Sequence, residues 1–224
     1  YFHVKVHMTP ELDRHVTHIE GLRDLHLNIL KEILLADGGK IFALDILASA
    51  VVKRSMSLCA GFSALVRSHN YTCAASLLRL QLDSCLRFFA AFIVEQPHEF
   101  ASSVLKGVPV RKLKDRNGMP MTDRYLVDSL GTKYEWMPRV YEATSGFIHL
   151  SERHIFSVWQ PGTTEGSVSL RVSEIDKDFP EELWIEIAAG FLACTDALFE
   201  YLKGWAFTKE NPDVVRQFAE QHGL

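Results

Sequence analysis

Residues 71–95, YTCAASLLRLQLDSCLRFFAAFIVE, are apolar almost all round, yet they carry Arg79, Asp83 and Arg87 at steps of four. Helical spacing sets those three side chains in a row on one face. A helix with so much apolar surface has to be enclosed by other helices. The charged row then has two settings. It is a buried ionic seam between helices, with Asp83 shared by both guanidiniums, or it is the floor of a cleft where the arginine forks meet an anion.

Helix signals continue on both sides of this segment. Thr9-Pro10-Glu11 is a helix start, with a capping hydroxyl, a proline at the first helical position and an acid behind it. Leu12, Val16, Ile19, Leu22, Leu25, Ile29 and Ile33 keep one helical period up to a stop at Asp37-Gly38-Gly39. A helix rich in small residues is predicted over 41–69, and the break at Asn70 makes it the antiparallel neighbour of the Arg79 helix. Pro97 ends or bends that second arm. Shorter helices are predicted over 100–106 and 124–130, then one over 134–150. A long one over 181–207 precedes a tail helix from Pro212.

Two stretches read differently. Residues 154–173 change to an alternating pattern, Val168, Leu170 and Val172 against Ser169, Arg171 and Ser173, which predicts a β-hairpin excursion. Residues 1–8 alternate weakly and read as a short edge strand or a leader. No interdomain linker, internal repeat or low-complexity segment is visible. The expectation for the 224 residues is therefore a single all-α helical bundle with that hairpin.

Composition narrows the function classes. A net charge of −4 leaves nucleic-acid binding only a local patch to work with. The cysteines, Cys59, Cys73, Cys85 and Cys194, form no CxxC pair, so buried reduced thiols and a cytoplasmic setting are expected rather than a structural zinc. No signal-peptide pattern opens the chain. The apolar run after Arg87 is far short of the roughly 20 residues a bilayer needs. There is no GxxxxGK[ST], GxGxxG or GxSxG, which removes most support for ATP-driven and hydrolase chemistry.

Three constellations remain. Beside the Arg79 row stands Tyr141, Ser145 and His149, again at steps of four, with His149 as a general acid or base or as part of a hydrogen-bonded polar face. The loop 107–122 carries Arg111, Lys112, Lys114 and Arg116, close behind Lys106. It is either a solvated loop or a contact to phosphates. Asp45, Ser49, Lys53 and Ser57 make a polar track, read as solvent-facing or as an interface. Glu11, His15 and His18 have near-helical spacing for a metal but lack a fixed further ligand, so no metal or cofactor is expected.

The run from Arg54 to Phe89, RSMSLCAGFSALVRSHNYTCAASLLRLQLDSCLRFF, together with VYEATSGFIHLSERHI from Val140, resembles a group of uncharacterised bacterial helical proteins. That group is related to the abortive-infection and HEPN-like superfamily. The shared pattern is a tyrosine-led helix with LLR and a following acid, here Tyr71, Leu77, Leu78, Arg79 and Asp83. A later tyrosine–serine–histidine helix is shared too, here Tyr141, Ser145 and His149. The resemblance spans roughly residues 50–155.

The resemblance implies a HEPN-like domain that acts on RNA or a nucleotide without a metal, in a defence or toxin-type stress response. HEPN ribonucleases place an Arg, four to six residues and a His on one helix. Here nine residues separate Arg139 from His149, and Arg87 to His98 is longer still. The expected arrangement is therefore a cleft in which Arg79 and His149 meet across the bundle. Arg79 and Arg87 would hold the anion, Asp83 would orient them, and Tyr141 and Ser145 would line the wall. A non-enzymatic homodimeric module, docking through the small-residue helix, stands as the alternative. A small-molecule enzyme with His149 as base is a third reading.

Overall fold

The computed structural model describes residues 8–149, 151, 154–155, 158–161, 164, 166–176, 179–214 and 217. The expected leader or edge strand, apart from Met8, and most of the tail helix lie outside the described residues. The described elements are α1 (Pro10–Gly21), α2 (Arg23–Leu35), α3 (Ala43–Arg67), α4 (Tyr71–Phe89), α5 (Pro97–Leu105), α6 (Asp123–Gly131), α7 (Met137–Ile148), β1 (Trp159–Pro161), β2 (Val168–Leu170) and α8 (Glu181–Glu210). The architecture is an all-α bundle. The hairpin is present as two short antiparallel strands, with Trp159 opposite Leu170 and Pro161 opposite Val168.

The helix that carries the charged row is the centre of the bundle. α4 packs most heavily against α8, α3 and α7, and it also touches α6. Leu78, Leu82, Cys85, Leu86 and Phe88 on α4 are sealed from solvent, and Phe62 of α3 stacks on Phe191 of α8 at 4.3 Å between ring centres. Burying side chains of this size contributes about 1.5–3 kcal/mol each and is the main force holding the bundle together.

Local chemistry sets the helix ends. Asn70 caps α4 by accepting from the Cys73 backbone N–H at 3.0 Å. Thr122 caps α6 in the same way, from the Tyr125 N–H at 3.3 Å. α4 stops at Phe89 and tightens into a 3₁₀ turn, Ala90–Phe92, before Pro97 starts α5. Pro97 thus opens a helix rather than ending one.

Residues 10–36 form two helices, not the one that the periodicity predicts. The chain breaks at Leu22, which follows Gly21 and bonds back to the Ile19 carbonyl at 3.2 Å. The break shifts the helical phase. Leu25, expected on the core face, is 36% exposed, and His26 takes the buried position. The polar track on α3 is also corrected. Lys53 and Ser57 are exposed, but Asp45 is fully buried, because the C-terminal end of α8 brings Lys209 to it.

Of the four thiols, Cys59, Cys85 and Cys194 are buried, whereas Cys73, in the first turn of α4, is exposed. Burial pushes the Cys59 thiol up to about 11 and the Cys85 thiol up to about 12, so neither is a nucleophile at neutral pH. Among the described residues, no helix is long and apolar enough to cross a membrane.

Candidate functional site

The bundle brings the two distant polar segments together. Arg79 and Asp83 of α4, Asp123 of α6, Tyr141 and Ser145 of α7, and His149 line one open recess of about 370 Å³. Leu80 and Ile148 supply apolar wall between them. The volume lies at the lower end of the range for small-molecule clefts, roughly 300–1,000 Å³.

Arg79 is the most enclosed charge in the site, 9% exposed. Its guanidinium lies over the Tyr141 ring, 4.4 Å from the centroid, a cation–π contact between α4 and α7. Arg79 Nη2 donates to Asp123 Oδ2 at 3.2 Å. Arg87 donates through Nη2 to the other Asp123 oxygen, and its Nε forms an ion pair with Asp83 Oδ1 at 2.9 Å. Arg54 of α3 closes the series, its Nη1 donating to Asp83 Oδ2 at 2.8 Å.

This corrects the expected sharing of Asp83. The carboxylate that Arg79 and Arg87 hold in common is Asp123, whereas Asp83 serves Arg87 and Arg54. The reason is geometric. Arg79 and Arg87 stand two turns apart, roughly 12 Å along the axis, and α6 enters between them with Asp123 in its first turn. A carboxylate at that end of a helix is further favoured by the helix dipole.

On α7 the step from Tyr141 to Ser145 is helical, but His149 is not in the helix. It is the C-terminal cap residue, with an extended backbone (φ −117°, ψ 150°). Ser145 Oγ donates to the Tyr141 carbonyl at 2.6 Å, the local bond a helical serine makes when nothing else claims it. His149 is exposed at the rim and has no hydrogen bond among the described residues. Ser76 of α4 donates to the Phe147 carbonyl at 3.0 Å, which pins the end of α7 just before His149.

Sequence reasoning missed Asp123 and Arg54 as members of the site. Arg54 was legible from the hairpin. The antiparallel register about the turn after α3 sets Arg54 against Asp83, just as it sets Ser55 against Gln81 and Gly61 against Leu77. Asp123 carried a helix-start signal but nothing that located α6 against α4.

The basic loop lies elsewhere. Arg116 donates to the Phe92 and Ile93 carbonyls, and Lys114 and Arg116 line a separate cavity of about 450 Å³ against Glu95 and Glu99 beside α5. Asp115 organises the loop. Burial acts to raise its carboxyl, but hydrogen bonds from the Tyr125 hydroxyl and the Met119 and Asn117 N–H groups outweigh that and hold it below the usual range. Among the described residues, no group of His, Cys, Asp and Glu is placed to hold a metal.

Comparison of the chain with protein-family models, with curated proteins and with solved structures finds no match. The class that fold and site define is a helical-bundle protein with a polar recess between three of its helices, lined by Arg79 and backed by an ion-pair series that includes Arg87 and Arg54.

Proposed function

We propose that this is a HEPN-like bacterial protein, of a defence or toxin-type stress response, whose recess takes the phosphate of an RNA or nucleotide. The observation that carries the reading is the meeting of two distant segments, residues 79–83 and 141–149, in one open recess. Three guanidiniums stand there or directly behind against two carboxylates, so the cluster favours an anion. Arg79 lines the recess and spends only one of its five N–H donors on Asp123. His149, uncommitted at the rim, is the group that would move the proton of an RNA 2′-hydroxyl, with no metal required. Arg79 would then come from α4 and His149 from the end of α7, which accounts for the missing single-helix motif.

The test is binding and cleavage of labelled RNA by the wild type, Arg79→Ala and His149→Ala. Arg79→Ala should weaken binding, and His149→Ala should bind but no longer cleave. Wild-type behaviour from both variants, with circular dichroism showing the fold retained, would overturn the reading.

One observation favours a second reading, in which the protein is a non-enzymatic interaction module. The ionic series Arg54–Asp83–Arg87–Asp123–Arg79 ties α3, α4 and α6 together, as a structural network would. On that reading Arg79→Ala lowers stability by about 1–3 kcal/mol, since Asp123 keeps Arg87, and alters no activity, and light scattering gives a dimer. The small residues of α3 divide between two faces: Ala48, Ser55 and Ser63 are buried within the chain, whereas Ala50, Ser57, Ala60 and Ala64 are exposed and would supply the dimer contact.

A further inference from the structure

We infer that Asp123 is the resident anion of a phosphomonoester site, holding the Arg79 and Arg87 forks until a doubly charged terminal phosphate displaces it. The inference rests on the phosphate-binding reading above and names its ligand class.

Asp123 presents one oxygen to each of two guanidiniums that converge on it from arginines two turns apart on α4. A phosphoryl group held by two arginines makes the same pair of contacts. Asp123 is also the exchangeable carboxylate of the two. Its side chain is 34% exposed, it lines the recess, and its carboxylate has no hydrogen-bond partner besides these arginines among the described residues. Asp83 is more enclosed, at 22%, and is committed to Arg87 and Arg54.

Asp123 leaves the cluster incompletely satisfied. Arg87 Nη1 is buried with no hydrogen-bond partner, a costly state for a charged group. The Arg79 bond, at 3.2 Å, is long for a charge-assisted pair. A phosphomonoester brings three terminal oxygens where the carboxylate has two.

Charge selects among phosphates. Arg54, Arg79 and Arg87 outnumber Asp83 and Asp123 by one, so the cluster keeps one positive charge with Asp123 in place. Exchanging Asp123 for an internal phosphodiester replaces one negative charge by one and leaves that excess. Exchanging it for a monoester, close to doubly charged above its second pKa of about 6, removes the excess. The ligand is then a nucleoside monophosphate or the phosphorylated end of an RNA, and not the middle of a strand.

Calorimetric titration of the full chain tests this, with adenosine 5′-monophosphate, its methyl phosphodiester and inorganic phosphate as probes, on the wild type, Arg79→Ala and Asp123→Asn. Asp123→Asn should bind the monophosphate about tenfold tighter than the wild type, the loss of an internal competitor. Both forms should prefer the monoester to the diester, and Arg79→Ala should bind neither. Binding of inorganic phosphate alone places the recognition in the phosphoryl group rather than the nucleoside. If Asp123→Asn is too unstable to titrate, the rise in its melting temperature on adding the monophosphate reads the same quantity and should exceed that of the wild type. Wild-type binding with no gain in Asp123→Asn overturns the inference and leaves the phosphate reading standing, as does equal affinity for the diester. No binding of any probe, or of RNA, by any form overturns both.

Discussion

Lys209 Nζ lies 2.9 Å from Asp45 Oδ2 in an ion pair whose side chains are 1% and 0% exposed. The pair is well supplied with hydrogen bonds. Lys209 also donates to the Ile33 carbonyl at 2.8 Å, Trp205 Nε1 donates to Asp45 Oδ1 at 2.7 Å, and the Phe42 N–H donates to Asp45 Oδ2 at 2.8 Å. It therefore joins the end of α2, the start of α3 and the last turns of α8.

Removing one partner of such a pair strands the other. Lys209→Ala should destabilise by about 3–5 kcal/mol, whereas Lys209→Met with Asp45→Leu should recover only part of the loss, because the buried charges go together but Trp205 Nε1 and the Phe42 N–H lose their acceptor. Urea denaturation of the three proteins checks this. A single variant within about 1 kcal/mol of the wild type would show that the pair does not hold the end of α8.

His26 makes the interior sensitive to acid. It is fully buried, with Nδ1 2.8 Å from the Leu22 carbonyl and Nε2 2.8 Å from Ser55 Oγ, and Gln81 links Ser55 to Thr195. Desolvation lowers the His26 pKa, although the Leu22 carbonyl pulls the other way. The folded state therefore binds fewer protons than the unfolded chain, where histidine titrates near 6.5. The stabilisation from this group is complete above that value and falls as the pH drops from about 6.5 towards the lowered folded pKa. The urea midpoint should fall between pH 7.5 and 5.5 in the wild type and fall less in His26→Gln. Parallel slopes for the two proteins would assign the acid sensitivity to other groups.

The Tyr141 ring, rather than its hydroxyl, serves the site, since the ring carries the Arg79 guanidinium. Tyr141→Phe should match the wild type in stability and in phosphate binding. Tyr141→Leu gives up the cation–π contact, about 0.5–2 kcal/mol, and should weaken nucleotide binding severalfold as Arg79 loses its seat. Equal affinities in Tyr141→Leu and Tyr141→Phe would remove the ring from the site.

What could be read in the sequence follows the range of the interactions. Most helix positions, the start at Thr9, the break at Asn70 and the hairpin of α3 and α4 depend on neighbours close in the chain, and they stand where the pattern puts them. The rows Arg79–Asp83–Arg87 and Tyr141–Ser145 were legible as helix faces for the same reason. That they line one recess depends on how α7 lies across α4, and no local spacing encodes that. Two of the departures have the same origin. Asp83 looked like the shared carboxylate because it lies between the arginines in sequence, while Asp123 arrives from 36 residues beyond Arg87. Leu25 looked buried because one period was carried through Leu22, where the chain bends.

Two glycines on the faces of α3 and α8 towards α4 should answer opposite ways to the same substitution. At Gly61 of α3 an added Cβ would lie 3.1 Å from Leu77 Cδ1, and Leu77 is half-buried with room to turn outward. At Gly190 of α8 it would lie 3.3 Å from Leu78 Cδ2, and Leu78 is 2% exposed, enclosed by the core. Alanine in a helix interior gains up to about 1 kcal/mol over glycine. Overpacking a filled core costs about 1–3 kcal/mol. The gain should prevail at Gly61, where the methyl it meets can move aside, and the cost at Gly190, where it cannot. Gly61→Ala is therefore expected to raise the melting temperature by about 2–4 °C per kcal/mol gained, and Gly190→Ala to lower it. Shifts of the same sign in both variants would mean that freedom of the facing leucine does not decide how closely these helices pack.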